Sequence, residues 1–336
     1  MNTTFERKVY ICQNKDNDIR FDSTSGGVFS ALAQYVINRK GYVFGAEFDD
    51  QWSVFHGYGQ SIDDLKRFRG SKYVQSCMGD AFKEVRLLLE NDNWVLFSGT
   101  PCQVEGLKKF LNKEYEKLIT MDIVCFSISS PGVWKMYLKH LVRTEKVDLS
   151  KVKCIKFRDK TKYGYEYTLM TFYDENGKEL YSSGPESNQM LRSFVSNTAT
   201  RPSCYECKFK KVNRVSDFTA WDCYNVYKYE KQLDDNKGTS HLMIHNKKAE
   251  GMLEELSKYL SLKPVDKDAA IASEPAMLES ATASDMRVDF FDSLSKGHDV
   301  FDEFFKDTTK IRIERMLRSA LSSVGVYKYI KRIIKG

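Results

Sequence analysis

The sequence contains no run of eighteen or more apolar residues, so no segment reads as a membrane span. Its opening stretch, MNTTFERKVY, lacks the apolar core of a secretory signal, which predicts a cytoplasmic protein. In that compartment the eight cysteines are expected to stay reduced, so ligand or redox roles take precedence over disulfides. Internal repeats and low-complexity linkers are also missing, and the two halves of the chain are expected to pack as one unit. No basic stripe with interleaved aromatics runs through the body, which argues against nucleic-acid binding. The net charge of +6 is a property of the C-terminus: from Lys310 to Gly336 there are eight basic residues and one acidic residue, which leaves −1 for everything before them.

What the sequence does have is the composition of a globular protein. Its 336 residues are 42% hydrophobic, 29% charged and 13% aromatic, enough to bury a sizeable core without disulfide staples. The first half alternates between two periodicities, which predicts an α/β fold with a mostly parallel sheet flanked by helices. Strands are expected at 8–14, 42–48, 94–97 and 118–124, with one more within 52–59. Helices are expected at 28–39, 80–90, 103–111 and 131–143. After residue 150 the texture becomes β-rich, with short strands at 153–158, 168–173 and 179–183. The Asp174-Glu175-Asn176-Gly177 stretch supplies a hairpin turn. A helix at 188–196, an irregular cysteine-bearing loop at 200–222, a strand near 241–245 and a helix at 248–259 come next. The expected division is an α/β core over 1–150, a β-rich and cysteine-loop continuation of the same unit over 151–305, and a C-terminal helix over 306–336.

Four stretches carry chemistry. Ser23-Thr24-Ser25-Gly26-Gly27 lies between a strand and a helix, where small residues and free amides suit a phosphate, although an ordinary helix cap with a flexible turn reads the same way. Ser98-Gly99-Thr100-Pro101-Cys102-Gln103 follows an apolar strand and opens a helix, which puts the Cys102 thiol where ligands gather in open sheets and where the helix dipole favours thiolate. Cys125 closes the next apolar strand, and would meet Cys102 if the two strands are neighbours. Arg201-Pro202-Ser203-Cys204-Tyr205-Glu206-Cys207 places two sulfurs within reach of one metal or cluster, with Lys208, Lys210 and Lys211 to offset negative charge. Zinc, an iron-sulfur cluster and no metal all remain open from spacing alone. Zinc would want a second Cys-x-x-Cys or a paired histidine, and the five histidines (56, 140, 241, 245 and 298) lack that spacing. A further polar stretch, Arg69-Gly70-Ser71-Lys72-Tyr73-Val74-Gln75-Ser76, would hold a phosphate or the edge of a ring, or form a plain surface loop.

Taken in order, Ser25 to Phe29, Gly70 to Ser76, Gly99 to Gln103, Asp122 to Cys125, and Arg201 to Lys208 followed by Arg214 to Thr219 resemble the signatures of the coenzyme F420 hydrogenase/dehydrogenase beta-subunit family. The resemblance runs from about Lys8 to about Phe305. It implies an oxidoreductase that passes electrons between FAD, a [4Fe-4S] cluster and a soluble redox partner or small-molecule substrate, whether a deazaflavin or a sugar intermediate of surface-polysaccharide synthesis. It implies flavin phosphates near Ser25, Gly26 and Gly27, flavin surroundings at Ser71, Lys72, Tyr73 and Gln75, and Cys102, Cys125, Cys204 and Cys207 as cluster ligands. Lys72 would act in catalysis by stabilising charge on reduced flavin.

The sequence departs from the family in three places. Only Cys12 precedes the Ser-Gly-Gly turn, so a short form of the family without the N-terminal ferredoxin-like module is expected, with electrons coming from a separate protein such as ferredoxin. Phe126-Ser127 stands where His-Gly is usual after Cys125, and Asp222-Cys223-Tyr224-Asn225 where Asp-Phe-Trp-Gly is common. These departures keep a second reading alive, a redox-inactive scaffold or assembly partner in polysaccharide biosynthesis that keeps the fold; within the redox reading, Cys223 would be the stand-in ligand if one of the four is not.

Between Ile313 and Ile334 apolar residues recur at 313, 317, 320, 324, 327, 330 and 334, opposite Arg312, Arg315, Lys328, Lys331, Arg332 and Lys335. This is a basic amphipathic helix with an interruption at Gly325. It suits either peripheral contact with an anionic membrane surface or packing on the protein's own body.

Overall fold

The computed structural model describes residues 5–335, with the side chains of Arg332, Ile334 and Lys335 outside the described set. The chain forms two compact units. The first holds residues up to Arg69, Ser76–Phe126 and Cys207–Ser280, and the second holds Gly70–Gln75, Ser127–Glu206 and the chain from Ala281 onward.

The first unit is built on an eight-stranded sheet. Its strands are β1 (Lys8–Asn14), β2 (Tyr42–Phe48), β3 (Val54–Gly59), β4 (Val95–Gly99), β5 (Leu118–Ile123), β9 (Phe218–Asp222), β10 (Ser240–Ile244) and β11 (Leu260–Val265), while β6 (Cys154–Asp159), β7 (Leu169–Tyr173) and β8 (Glu179–Ser183) belong to the second unit. The order is β11-β1-β10-β9-β5-β4-β2-β3. Its centre, β9-β5-β4-β2, is parallel, and the pairs on either side are antiparallel. Parallel strands covered on both faces need apolar residues throughout. Accordingly Val95, Leu96 and Phe97 of β4 and Leu118 and Ile119 of β5 are fully buried. The helix Val28–Ile37 packs its apolar side into one core, and the helices Ala81–Glu90 and Pro101–Leu111 pack into a second core.

Two strands depart from the sequence reading. β9 falls inside what reads as an irregular loop, because its five residues, Phe-Thr-Ala-Trp-Asp, carry no two-residue alternation. Buried on both faces in mid-sheet, it needs none. β11 contains Pro264, which argues against a strand in general but is tolerated on an edge, and β11 pairs only with β1.

In the second unit β6, β7 and β8 form an antiparallel meander. The β7–β8 hairpin turns where expected: Gly177 has φ +74°, and Asp174 Oδ1 accepts from the amides of Asn176 and Lys178. The helix Pro131–Thr144 lays Trp134 and Tyr137 on this sheet. The Trp134 ring lies 5.1 Å from Phe157, and Asn188 Nδ2 donates to the Tyr137 hydroxyl at 2.7 Å.

Candidate functional site

Cys102 sits where β4 hands over to the helix Pro101–Leu111. Thr100 caps that helix in a capping box with Gln103, whose Oε1 accepts from the Thr100 amide at 2.9 Å. Cys102 is exposed, and the Thr100 hydroxyl lies 3.1 Å from its Sγ. The Gln103 amide nitrogen donates to Ser76 Oγ at 2.8 Å. The Ser76 hydroxyl is thereby left to donate to His56 Nδ1 at 2.9 Å, and His56 Nε2–H to the Ser98 carbonyl at 3.0 Å. This chain of hydrogen bonds starts and ends on the turn that carries Cys102.

β4 and β5 are parallel neighbours, with Gly99 opposite Asp122. The segments after their C-terminal ends, bearing Cys102 and Cys125, therefore leave the same edge of the sheet side by side. The segment after β5 is held by two cations. Arg214 Nη1 donates to Asp122 Oδ1 and to the Ile123 carbonyl, each at 3.0 Å, and Lys210 Nζ donates to the Cys125 carbonyl at 2.5 Å and to the Ala276 carbonyl at 2.7 Å. Lys210 and Lys211 follow Cys207 by three and four residues. Lys211 Nζ pairs at 3.0 Å with Glu105, on the helix Pro101–Leu111 that carries Cys102, and the Cys207 amide donates to Ser280 Oγ. The segments carrying Cys102, Cys125 and Cys207 are thus tied together within the first unit. Cys204 belongs to the second unit, in a short helical turn at Pro202–Cys204, and only Tyr205 and Glu206 separate it from Cys207 along the chain. That span is at most about 11 Å of extended chain. Cys125, Cys204 and Cys207 are partly exposed.

Cys12 and Cys223 differ sharply from these four. Both are fully buried, and burial pushes their thiols up, that of Cys223 to about 12. Sealed in the core, the Cys223 sulfur is less accessible to a ligand than any of the four.

The Asp122–Arg214 pair lies at the heart of a buried network that sequence reading did not find. Asp122 also accepts from Ser216 Oγ at 3.0 Å and Thr219 Oγ1 at 2.6 Å. Burial raises its pKa, against the pull of the Arg214 guanidinium and these two hydroxyls. Arg7 Nε donates to His245 Nδ1 at 3.2 Å, which leaves the proton on Nε2 to face Thr219 Oγ1 at 2.7 Å. Burial, with Arg7 and Arg214 nearby, lowers the His245 pKa to about 3 and keeps the ring neutral.

The Ser25-Gly26-Gly27 turn lies at the C-terminal end of β1. Gly26 packs against the sheet so closely that a Cβ would meet the Cys12 carbonyl oxygen at 2.4 Å and the Ser240 nitrogen at 2.6 Å. Gly27, at φ +82°, caps the helix Val28–Ile37 without contributing a side-chain acceptor to its first amides, and Ser25 Oγ donates to the Thr239 carbonyl at 2.6 Å. The glycines are thus explained by packing, while the helix start keeps the character that suits an anion. Because β1 is antiparallel to β10 and β10 to β9, β1 runs in the same sense as β9, β5 and β4. The turn after β1 therefore shares the edge that carries Cys102 and Cys125. At the usual strand spacing, β5 stands about 14 Å from β1.

The other expected flavin neighbours lie in the second unit. Tyr73 stacks on Phe194 at 4.5 Å, the Gln75 amide donates to the Ser129 carbonyl at 2.9 Å, and Lys72 Nζ donates to the Gly70 carbonyl at 3.3 Å. Arg287, which no local pattern singles out, organises the approach to Cys204: it donates to the Thr198 carbonyl and the Tyr205 hydroxyl, each at 3.0 Å.

Among the described residues, the one group of three metal-ligating atoms within 4.8 Å of one another is His140, Asp299 and Asp302. There the Arg143 guanidinium already pairs with both carboxylates, so the cluster is an ion-pair network. Ligands to a single ion converge that tightly. Ligands to a cubane do not, because its irons stand between the sulfurs. Within the first unit, Cys102, Cys125 and Cys207 are accessible thiols on segments anchored by cations, and thiols of this kind are the donors a cluster takes.

No curated protein matches the chain. Among solved structures, a chain of the xenon-derivatised F420-reducing [NiFe] hydrogenase complex from Methanosarcina barkeri shares the fold, with a TM-score of 0.52 at 17% identity over 77% of this chain and 82% of that one. The family model for the C terminus of the coenzyme F420 hydrogenase/dehydrogenase beta subunit matches residues 92–268, more than half of the chain, and the protein belongs to that family.

Proposed function

We propose that this protein is a flavin- and iron-sulfur-dependent oxidoreductase subunit, with one [4Fe-4S] cluster on Cys102, Cys125, Cys204 and Cys207 and FAD bound near Ser25–Gly27. The observation that supports this reading best is convergence: the Ser-Gly-Gly turn and the segments bearing Cys102 and Cys125 leave one edge of one sheet, the carboxyl edge at which open α/β sheets bind ligands. When bound, the flavin would supply two-electron hydride chemistry and the cluster one-electron transfer.

The chain's own part is positioning. Lys210 and Arg214 fix the main chain around Cys125, the Thr100 hydroxyl stands beside the Cys102 sulfur, and the start of the helix Val28–Ile37 would receive phosphate. Ser71, Lys72, Tyr73 and Gln75 would border the flavin, with Lys72 offsetting the charge of its reduced form. The partners in this reading are a separate electron-transfer protein such as ferredoxin and a small-molecule substrate, either a deazaflavin or a sugar intermediate of surface-polysaccharide synthesis. The proposed location is the cytoplasm, peripheral to the membrane's inner face, where thiols stay reduced. Denaturing anaerobically purified protein and identifying what it releases tests the flavin half of the reading. FAD is the expected product, and protein that neither carries flavin nor takes it up would remove that half.

A further inference from the structure

The C-terminal segment presents an apolar stripe to solvent. In the helix Thr309–Ser323 and its continuation Tyr327–Lys335, ion pairs tie the segment to the rest of its unit, Arg318 with Glu186 and Lys331 with Glu166 at 3.1 Å, beside the partly buried Ile311, Leu321 and Ile330. The Tyr327 ring lies 5.4 Å from Tyr167. The apolar side faces out: Ile313 is 53% exposed, Met316 70%, Leu317 58%, Val324 69%, Tyr329 56% and Ile333 81%. Residues 313, 316, 317 and 324 follow helical spacing, so they form one continuous outward stripe. A helix that served only to stabilise its own body would turn that stripe inward.

Three cations accompany the stripe: Lys310 and Arg312, which are exposed, and Lys328, which is partly so. The 27 residues from Lys310 to Gly336 hold all of the chain's surplus positive charge. Gly325, at φ +72°, breaks the helix and redirects the chain beyond it. An apolar stripe rimmed by cations complements an anionic bilayer, whose headgroups take the charges while the acyl boundary takes the side chains. Two copies of the same stripe would instead bring like charges together. No helix among the described residues is long and apolar enough to cross a membrane, so attachment would be on the surface.

We infer that the segment from Thr309 to Lys335 docks the protein on an anionic lipid surface, with Ile313, Met316, Leu317 and Val324 entering the acyl boundary and Lys310, Arg312 and Lys328 meeting the headgroups. Tyr329 sits at the interface, where tyrosine's apolar ring and polar tip both find partners. The inference is independent of the redox reading, since it uses neither a cysteine nor a flavin contact.

The test is flotation of the full chain with vesicles of pure phosphatidylcholine and with vesicles of equimolar phosphatidylcholine and phosphatidylglycerol. Each cation near an anionic surface adds on the order of fivefold to partitioning, so preference for the anionic vesicles should exceed tenfold at low salt. Removing the three cations (Lys310→Gln, Arg312→Gln and Lys328→Gln together) should erase most of that preference. The pair Met316→Ser and Leu317→Ser should lower binding to anionic vesicles about tenfold, with circular dichroism unchanged because both residues are exposed. Equal partitioning into both vesicles, or binding untouched by either set of variants, would overturn the inference. So would a solution dimer that the apolar pair dissolves, since the stripe would then belong to a second copy of the chain.

Discussion

Two sets of thiols share one sheet and differ in everything that matters to a ligand. Cys12 lies within β1 and Cys223 just past β9. Both are sealed in the core, and the Cys12 Sγ–H donates to the Ser240 carbonyl at 3.5 Å. Cys102 and Cys125 lie just past β4 and β5, where the main chain leaves the sheet, and Cys207 lies on a segment that lysines pin to theirs. One to three residues past a strand end, a cysteine becomes an accessible donor only when the next segment turns outward, as it does after Gly99 and Ile123 and does not after Asp222.

The sharpest way to break this comparison is to exchange the two sets. Cys102→Ser and Cys207→Ser should each reduce iron in anaerobically purified protein from about four atoms per chain to well under one, because a Cys₄ cluster rarely survives the loss of a thiolate. Cys12→Ser and Cys223→Ser should leave iron unchanged. Iron loss in Cys223→Ser would place that residue among the ligands and dissolve the distinction. Full biological function in a Cys102→Ser, Cys204→Ser variant would favour the scaffold reading.

The next largest effect concerns what holds the strand-end set in place. Arg214→Met leaves Asp122 buried without its cation and should cost about 3–5 kcal/mol of stability, read as a shift in denaturant midpoint. Adding Asp122→Leu should recover much of that loss. A shift under about 1 kcal/mol in the single variant would mean that the network is not needed to fix the segment leading to Cys125.

Acid should weaken the core beneath both sets. Burial lowers the pKa of His241 to about 4 and of His245 to about 3, so both rings are neutral in the folded protein. Unfolded, they take up protons below about pH 6.5, so their stabilising effect is complete above that pH and declines as pH falls toward their folded values. From pH 7 to pH 5 each should cost about 2 kcal/mol. Thermal unfolding at the two pH values, repeated with His241→Gln, measures this directly; an unchanged slope in the variant would count against it. The smallest effect is expected from Gln103→Leu. Losing the capping box should cost about 1 kcal/mol, while alkylation of Cys102 in the iron-free protein should speed up as its turn loosens.

Much of this was legible in the sequence, and the remainder was hidden for identifiable reasons. β4 and the turn to Cys102 announce themselves as an apolar run followed by a capping sequence. β5 does so by its largely apolar run, Leu118-Ile119-Thr120-Met121. The adjacency of β4 and β5, on which the pairing of Cys102 with Cys125 depends, is a property of sheet order and has no local signature. β9 was invisible because a strand buried on both faces need not alternate. The Asp122–Arg214 pair joins residues 92 apart, and Arg287 reaches back 89 residues to Thr198, distances at which spacing carries no signal. The amphipathic tail was readable as a helix. That its apolar side faces outward followed only from Glu166 and Glu186 holding its cations inward.

In the proposed function the accessible cysteines together hold one cluster. Iron and acid-labile sulfide per chain, measured on anaerobically purified protein alongside the electron paramagnetic resonance spectrum after reduction, test it most directly. About four of each, with the signal of a single reduced [4Fe-4S] centre, is the predicted result. Colourless, iron-free protein that cannot be loaded with iron and sulfide under reducing conditions would contradict it.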